Sequence, residues 1–325
     1  MSDKNTMNID KKDKKIIHEL EKNSRENFKT IGKRIGLSGE VVDYRVKNLQ
    51  KYGIITRMFA EPNLNKLGLK TYRVYLKIEN MGDENTNALL EYIATCPKVQ
   101  WYGQFEGEWD YTIRYAMKDE LEFKEEIDRL LSMFGKFIKA KDVVITTSQA
   151  YLPITYLTGG ERIVREVISG KVGEEKIDEI DKKILFHLCE DSRTRSVDIS
   201  SKIKISPDAV QYRIKKLIKN GIIAFFTMWL DRRKFGYEHY KVLLWFQYAT
   251  KKDEKKLIGY CEQHPNVVYI NRVIGNWDLE IDFDAKNSKE IHDLVKNLKN
   301  KFPGIIRDHT TLAILSDQIL NPFRK

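Results

Sequence analysis

The side chains best suited to chemistry are cations and amides that recur in two copies at helical spacing. Each copy surrounds a tight turn, Gly36-Leu37-Ser38 in one case and Ser206-Pro207-Asp208 in the other. Lysine and arginine can neutralise phosphates, and arginine, asparagine or glutamine can read base edges in a major groove. The candidate nucleic-acid contacts are Lys33, Arg34, Ser38, Tyr44, Arg45, Lys47, Asn48 and Lys51, and in the second copy Gln211, Tyr212, Arg213, Lys215, Lys216 and Lys219.

The charge of the chain permits such contacts without requiring them. The formal net charge is +10, and residues 10–60 hold 13 lysines and arginines against 7 acidic residues. A basic helix face by itself is explained equally well as a solvated surface. Its placement next to a capped turn, twice in one chain, favours double-stranded DNA as the partner.

Two short loops form the second candidate site, GEWD at 107–110 and GNWD at 275–278. Glycine allows turns that other residues would strain, and an aspartate at a loop edge can accept hydrogen bonds from an ammonium group or from backbone N–H groups. For four residues alone, a hairpin turn with a capping aspartate is the simpler interpretation. The candidate effector-binding residues are Gly107, Trp109, Asp110, Gly275, Trp277 and Asp278.

The other reactive residue types are scattered along the chain. Cys96, Cys189 and Cys261 form no CxxC pair, and the six histidines are dispersed. We therefore expect no metal site, no cofactor and no disulfide framework, and the sequence has no phosphate-binding glycine loop. No apolar run is long enough to cross a bilayer, and the polar N-terminus lacks the apolar segment of a secretory signal. These features predict a cytoplasmic location.

Both candidate sites belong to an internal repeat. A shift of 168 residues aligns residues 10–60 with 178–228 without a gap, and 20 of the 51 positions are identical. The same shift pairs Trp109 with Trp277 and Asp110 with Asp278. Chance does not hold one register over that distance, so the chain consists of two copies of one domain-sized unit.

The first part of each unit is predicted to form three short helices. In the first copy they span about residues 10–22, 28–35 and 39–51, and the third buries Val42, Val46 and Leu49 along one face. Three helices with a tight turn before the last one are typical of a helix-turn-helix. The extended run that follows supplies a wing or a connecting strand.

The second part changes to the period of a strand. Tyr72, Val74, Leu76 and Ile78 alternate as in a strand with one buried face. Helices at about 84–95 and 119–134 and further extended runs complete the order β-α-β-β-α-β, which is the ferredoxin-like arrangement. The second of these helices is expected to bury Leu121, Phe123, Ile127, Leu130 and Phe134.

The predicted fold class is therefore α+β, a tandem repeat of a winged helix-turn-helix followed by a ferredoxin-like βαββαβ domain. A glycine-flanked linker with one or two helical turns is expected to join the repeats. The predicted boundaries are 8–60 and 177–228 for the two helix-turn-helix heads, 61–153 and 229–325 for the two ferredoxin-like domains, and 154–176 for the linker.

These features resemble the leucine-responsive/asparagine-operon regulator (Lrp/AsnC) family. The resemblance is carried by IDKKDKKIIHELEKNSR, YRVKNLQKYGII, KLGL at 66–69 and the GEWD loop. It implies a DNA-binding transcription regulator whose α+β (RAM-type) domains pair face to face and respond to an amino acid or another small metabolite. It also implies effector contacts near Gly107, Asp110, Gly275 and Asp278, and DNA contacts from the helices at 39–51 and 207–219.

The duplication departs from the family pattern, in which members are single units. The fused copies either pair with each other as an intramolecular pseudo-dimer or pair with a second chain. The two heads differ, so we expect unequal half-sites or one dominant head. The differing positions are Glu40, Asp43 and Asn48 in the first head and Asp208, Gln211 and Lys216 in the second.

Two other functions stay open at this point. The first is an enzyme related to the siroheme decarboxylases, which the layout also resembles; the second is an architectural DNA-binding protein of the nucleoid type. The middle strands of the first repeat, VQWYGQFEGEWDYTIRY, contain no histidine, and those of the second offer only Arg272. General acid–base catalysis needs a titratable group at the site, so the sequence favours a regulator over an enzyme.

Overall fold

The computed structural model of the chain describes residues 9–168 and 172–324. The first residue of the predicted head 8–60, residues 169–171 of the predicted linker and the last residue of the domain 229–325 lie outside these ranges. Within them, no helix is both long and apolar enough to span a membrane.

The helices and strands repeat in one order. The first repeat contains α1 (Lys11–Lys22), α2 (Phe28–Ile35), α3 (Gly39–Lys51), β1 (Ile55–Pro62), β2 (Lys70–Ile78), α4 (Asp83–Thr95), β3 (Val99–Glu106), β4 (Tyr111–Met117), α5 (Glu120–Phe134) and β5 (Ile138–Tyr151). After α6 (Thr155–Thr158) and β6 (Arg165–Ile168), the second repeat contains α7 (Glu179–Glu190), α8 (Ser196–Ile203), α9 (Pro207–Lys219), β7 (Ile223–Leu230), β8 (Glu238–Phe246), α10 (Lys251–Gln263), β9 (Val267–Ile274), β10 (Leu279–Ala285), α11 (Ser288–Lys301) and β11 (Ile306–Ile319).

The chain folds into two compact units that each draw on both repeats. One unit holds both helix-turn-helix heads, and the other holds both ferredoxin-like domains. The segment between the repeats is divided, since residues 153–163 belong to the first unit and residues 164–175 to the second. Like domains of the two repeats therefore associate within one chain.

The unit of the two heads is built around one shared sheet. In each head the first helix begins at a capping box, which Asp10 and Asp13 form in α1 and Asp178 and Asp181 form in α7. Each head contributes a single strand after its third helix, and β1 pairs with β7 in antiparallel register from Ile55 to Pro62. The extended runs that were expected to form a wing or connecting strand therefore pair with each other and connect the two heads.

The second unit contains a ring of eight antiparallel strands. The pairing order is β2-β4-β3-β11-β8-β10-β9-β5, and β5 returns to β2 and closes the ring. The long strands β5 and β11 make the junctions. Each pairs along its first half within its own repeat and along its second half with β9 or β3 of the other repeat. Closing the ring removes the free edges that the four strands of each repeat would otherwise have.

Both faces of the ring are buried. The outer faces pack against α4 and α5 in the first repeat and against α10 and α11 in the second. The interior holds a separate aromatic cluster that includes Tyr75, Trp109 and Trp277. Strand β2 was expected to have one buried face, but every residue from Thr71 to Leu76 is buried because the opposite repeat covers its inner side.

Two local expectations were wrong. Helical turns were expected in the linker, where Ile163, Val164, Val167 and Ile168 fall at helical spacing, but among its described residues helix is confined to Thr155–Thr158, and Arg165–Ile168 forms strand β6 against β5. Leu121 was expected to be buried, yet it is 70% exposed in the first turn of α5, while Ile127, Leu130 and Phe134 are buried as expected. Backbone pairing with β5 decides the first case, and the position of Leu121 at the start of the helix decides the second.

Candidate nucleic-acid interface

A capped turn orients the third helix of each head. The Ser38 hydroxyl accepts a hydrogen bond from the backbone N–H of Val41 at 3.2 Å, and Ser206 accepts one from Ala209 at 3.2 Å. The residue that ends the preceding helix is left-handed, with φ of 70° at Gly36 and 60° at Lys204. Because glycine tolerates this region and lysine does not, the second head maintains the turn under more backbone strain.

Buried stripes turn the opposite faces of α3 and α9 towards solvent. Val42, Val46 and Leu49 are almost completely buried in α3, and the equivalent residues of α9 are buried as well. On the other side, Tyr44 is 66% exposed and Tyr212 is 69% exposed. Each head thus presents one accessible helix face, on which most of the predicted contact residues lie.

Arg45 and Arg213 hold the third helix to the first. The Arg45 guanidinium lies 2.8 Å from Asp10 and 2.8 Å from Asp13, and Arg213 lies 2.7 Å from Asp178 and 2.8 Å from Asp181. The Asp13 carboxylate, followed by Asp10, raises the pKa of Arg45. Both arginines therefore have a structural role in fixing the helix.

The carboxylates in these clusters are stabilised in their charged form. The backbone N–H of Asp13, with the Arg45 guanidinium, lowers the pKa of the Asp10 carboxyl. The backbone N–H of Asp181, with Arg213, lowers the pKa of Asp178 in the same way. The first helix and the third helix of each head are therefore held together at neutral pH.

The accessible faces of the two helices differ in charge. Lys47 forms an ion pair with Asp43 one turn earlier, at 2.6 Å. The corresponding residues of α9 are Lys215 and Gln211, and within the described ranges no ion pair is recorded for Lys215. The fixed neighbouring carboxylate offsets the charge of the first lysine, whereas the second remains available to a phosphate.

The remaining predicted contacts are mostly exposed. Lys33, Lys51, Lys215, Lys216 and Lys219 are exposed, and Asn48 is half-buried. Arg34 pairs with Glu19 at 2.9 Å and with Glu26 at 3.2 Å, and the hydrogen bond that its guanidinium donates to Glu19 raises the pKa of Arg34. Where α3 has Asn48, α9 has Lys216, which makes the second face more cationic.

The heads contact each other through residues that the sequence reasoning missed. The hydroxyls of Ser24 and Ser192 lie 2.7 Å apart and are buried. The Arg193 guanidinium donates to the carbonyls of Ser24 and Glu26 at 2.8 and 3.0 Å, while Arg25 donates reciprocally to Ser192 and Thr194. The same Ser-Arg pair follows α1 in the first repeat and α7 in the second, and this repetition is the sequence signal from which the contact could have been predicted.

Glycines allow the two predicted effector loops to lie close against the other repeat. Gly107 has φ of 138°, and a Cβ there would approach the Leu312 side chain to 2.9 Å. A Cβ on Gly275 would approach Val144 to 2.6 Å. The two loops are not adjacent in the ring, because β11 and β8 separate them on one side and β5 and β2 on the other.

The aspartates of these loops cap neighbouring strands. Asp110 accepts hydrogen bonds from the backbone N–H of Ile78 at 2.6 Å and from Lys77 at 2.9 Å, and Asp278 accepts one from the N–H of Phe246 at 2.7 Å. Trp109 and Trp277 are buried in the interior of the ring. The structure thus gives these residues positions in packing and capping, and effector binding by them stays a prediction.

In the part of the chain described by the structure, no group of three or more histidine, cysteine, aspartate or glutamate side chains is arranged to hold a metal ion. All three cysteines are buried and unpaired there. Burial raises the pKa of the Cys96 thiol and, to about 12, that of Cys261.

Comparison with known proteins places the repeat in context. The AsnC-type helix-turn-helix domain matches residues 9–50, and the winged helix-turn-helix DNA-binding domain matches residues 177–224. An uncharacterized HTH-type transcriptional regulator of Pyrococcus horikoshii is 32% identical over 124 residues, which are 38% of this chain and 80% of that protein. Regulatory protein AsnC of Haemophilus influenzae is 26% identical over 148 residues, 46% of this chain and 97% of that protein.

Solved structures of the siroheme decarboxylase NirDL match nearly the whole chain. The siroheme decarboxylase NirDL, in complex with an iron-uroporphyrin III analogue, covers 96% of this chain and 95% of its own, with a TM-score of 0.64 and 12% sequence identity. At that identity the likeness is one of fold.

Proposed function

This chain belongs to the Lrp/AsnC family of DNA-binding transcription regulators, and from that premise we propose that one polypeptide reads a duplex with two unequal heads. Helices α3 and α9 are proposed to enter the major groove, with the duplicated chain taking the place of a homodimer. We further propose that it acts in the cytoplasm, as its regulator relatives suggest.

The observation that best supports this proposal is the sheet that the two heads share. Strands β1 and β7 pair along their lengths, and Ser24, Arg25, Ser192 and Arg193 form a reciprocal contact beside them. This joint supports a fixed spacing of α3 and α9, and fixed spacing is what lets two helices read half-sites at a set separation.

The charge on the helices supports unequal roles for the two heads. The accessible face of α9 carries Lys215, Lys216 and Lys219 with one acidic residue, Asp208, whereas on α3 Asp43 pairs with Lys47. Phosphate contacts supply most of the non-specific affinity for DNA. The second head is therefore proposed to provide more of the affinity, and the first to add sequence selection.

Selection of bound fragments from genomic DNA at near-physiological salt tests this function. We expect recovery of a site with two dissimilar half-sites, and footprinting should show protection of both by one chain. Binding with no preferred fragment and a steep salt dependence would instead indicate an architectural protein. No salt-sensitive affinity for any duplex would contradict the proposal.

A small effector, an amino acid or another metabolite, is proposed to act near the 107–110 and 275–278 loops. Family membership supports this assignment. Each loop also lies close to a strand of the other repeat, so a ligand bound at a loop would change the packing between the two repeats. Repeating the selection with an amino-acid mixture tests it. We expect a changed affinity or a changed set of fragments, and identical results would contradict an amino-acid effector.

The fold likeness to NirDL over both repeats favours a second candidate, an enzyme acting on a tetrapyrrole. Strand β8 of the ring carries a titratable side chain, His239, whose Nδ1 lies 2.6 Å from Asp284 of β10. Titration of the purified protein with an iron porphyrin tests this alternative, because binding would shift the porphyrin absorption band. An unshifted band would argue against it.

A further inference from the structure

The interior of the ring contains a buried ionic network that links the two repeats. The Arg73 guanidinium of the first repeat donates to Glu280 of the second at 2.9 Å and to Asn271 at 2.9 Å. Arg73 is 3% exposed and Glu280 is completely buried. The Tyr75 hydroxyl also donates to Glu280, at 2.6 Å. These bonds cross the interior, since β2 and β10 are not neighbours in the ring.

The second repeat adds a cation and a second acid of its own. Lys241 is completely buried, 3.5 Å from Glu280 and in contact with Asp282. The indole N–H of Trp277 donates to Glu280 at 3.2 Å. Glu280 therefore receives hydrogen bonds from both repeats and is the centre of the network.

The two repeats carry unlike residues at the equivalent positions. Arg114 is the register partner of Arg73, so both side chains emerge on the same face of the sheet. The first repeat thus presents two arginines and no carboxylate at these positions, whereas the second presents one lysine and two carboxylates. The equivalent pairs, related by the shift of 168 residues, are Arg73 and Lys241, Thr112 and Glu280, and Arg114 and Asp282.

We propose that these buried charges select the pairing of unlike repeats. Arg73 on the inner face of the first repeat requires a carboxylate at the position of Glu280, and the second repeat of the same chain supplies it. Asp282 in turn pairs with Lys241 of its own repeat, so that this lysine leaves Glu280 to Arg73. The chain is thereby a pseudo-heterodimer whose halves reject copies of themselves. This goes beyond the proposed DNA-binding function and does not depend on it.

The physical reason is the penalty for an unpaired buried charge. A ring of two first repeats would hold two buried arginines at position 73 and two half-buried ones at position 114, with no carboxylate at the equivalent positions. A ring of two second repeats would hold four carboxylates at positions 280 and 282 against two lysines. Removing the partner of a buried ion is strongly destabilising because the remaining charge has lost both water and its counter-ion. Single-unit chains that lack both carboxylates would be excluded from the first repeat in the same way.

Three full-length variants test the proposal together with the natural chain. The cationic variant carries Glu280→Thr and Asp282→Arg, so both repeats present threonine and arginine at these two positions and neither presents a carboxylate there. The anionic variant carries Thr112→Glu and Arg114→Asp, so both present the carboxylates of the second. The transposed variant carries all four changes, which moves the carboxylates to the first repeat and restores unlike faces. Thermal unfolding is followed by tryptophan fluorescence, because Trp101, Trp109, Trp245 and Trp277 all lie in this unit.

We expect the cationic and anionic variants each to lose on the order of 10 °C in Tm, or to yield no folded protein. The transposed variant should unfold at a higher temperature than either, although it carries the changes of both. If the two mismatched variants do not fold, recovery of folded transposed protein is the supporting result. Such recovery measures coupling between the faces, which independent local effects cannot produce.

Three results would overturn the proposal. They are unchanged Tm values in both mismatched variants, a transposed variant less stable than either of them, and failure of all three variants to fold. The matched control exchanges the exposed pair Lys289 and Asp293 on α11 by Lys289→Asp and Asp293→Lys, for which we expect a change within about 2 °C.

Discussion

The third helices of the two heads, α3 and α9, share one scaffold and differ in the surface they present. Both bury three apolar residues at the same spacing, and both are held by an arginine between two aspartates. On the accessible side, Lys47 is paired with Asp43, whereas Gln211 leaves Lys215 without that carboxylate. The residues that fix each helix in place are alike in the two repeats, whereas on the accessible side Asp43 and Asn48 are replaced by Gln211 and Lys216.

The largest expected effect tests whether the scaffolds are equivalent. Leu49→Ala and Leu217→Ala each remove a buried side chain from the apolar stripe, and we expect each to lower the free energy of unfolding by about 2–5 kcal/mol. Urea unfolding followed by circular dichroism measures the change. Lys51→Ala and Lys219→Ala are exposed controls on the same helices. A large loss of stability from one of these substitutions and none from the other would show that the two scaffolds are not equivalent.

A smaller effect is expected when the arginine anchors are removed. Arg45→Met and Arg213→Met should each cost about 1.5–3 kcal/mol, the range for hydrogen bonds to charged groups. The Arg45 change should cost more, because the Asp13 side chain is 1% exposed and that of Asp181 is 11% exposed. The same unfolding assay decides the order, and an unchanged stability in both variants would show that the ion pairs are incidental.

These anchors also predict a pH dependence. Asp10 and Asp178 have a lowered pKa in the folded chain, so their contribution is present above the unfolded value of about 3.9 and is lost as pH falls through the folded pKa. We expect stability to decline below about pH 4, with a weaker decline in Arg45→Met. Unfolding midpoints measured from pH 6 to pH 3 test this expectation. An equal decline in both proteins would contradict it.

The charge difference between the heads should appear in the salt dependence of DNA binding. Lys215→Ala should reduce the slope of log affinity against log salt by about 0.9, the value for one lost phosphate contact. Lys47→Ala should reduce it less, because Asp43 already offsets that charge. Fluorescence anisotropy on the selected DNA at several salt concentrations measures both slopes. Equal reductions would show that the heads contribute alike.

The smallest expected effect makes the heads more alike. Asp43→Gln gives α3 the residue found in α9 and frees Lys47, so affinity at the first half-site should rise about two- to fivefold, the scale of one exposed ion pair. Gln211→Asp is the reverse change and should weaken the second half-site. Competition binding with half-site mutants separates the two. A decrease on Asp43→Gln would indicate that the carboxylate itself contacts DNA.

The helical part of the fold was predictable because its signals are local. Helices α2 and α3 span the expected residues, and the capped turns at Ser38 and Ser206 precede α3 and α9 as the sequence predicts. The positions of the exposed lysines followed from the same period. The ion pairs of Arg45 and Arg213 could not be read in this way, because they join positions more than 30 residues apart.

The amino-acid sequence by itself determined the duplication, the helix-turn-helix heads and the exposed basic faces of their third helices, since periodicity, capping residues and short repeated motifs can all be read along the chain. Only the tertiary structure decided that like domains pair within the chain, that eight strands close into a ring, and that Arg73 meets Glu280. Those contacts join residues far apart in the chain, 207 positions for Arg73 and Glu280, and each depends on which strand edges pair. Backbone groups are alike in every strand, so no local pattern specifies their partner.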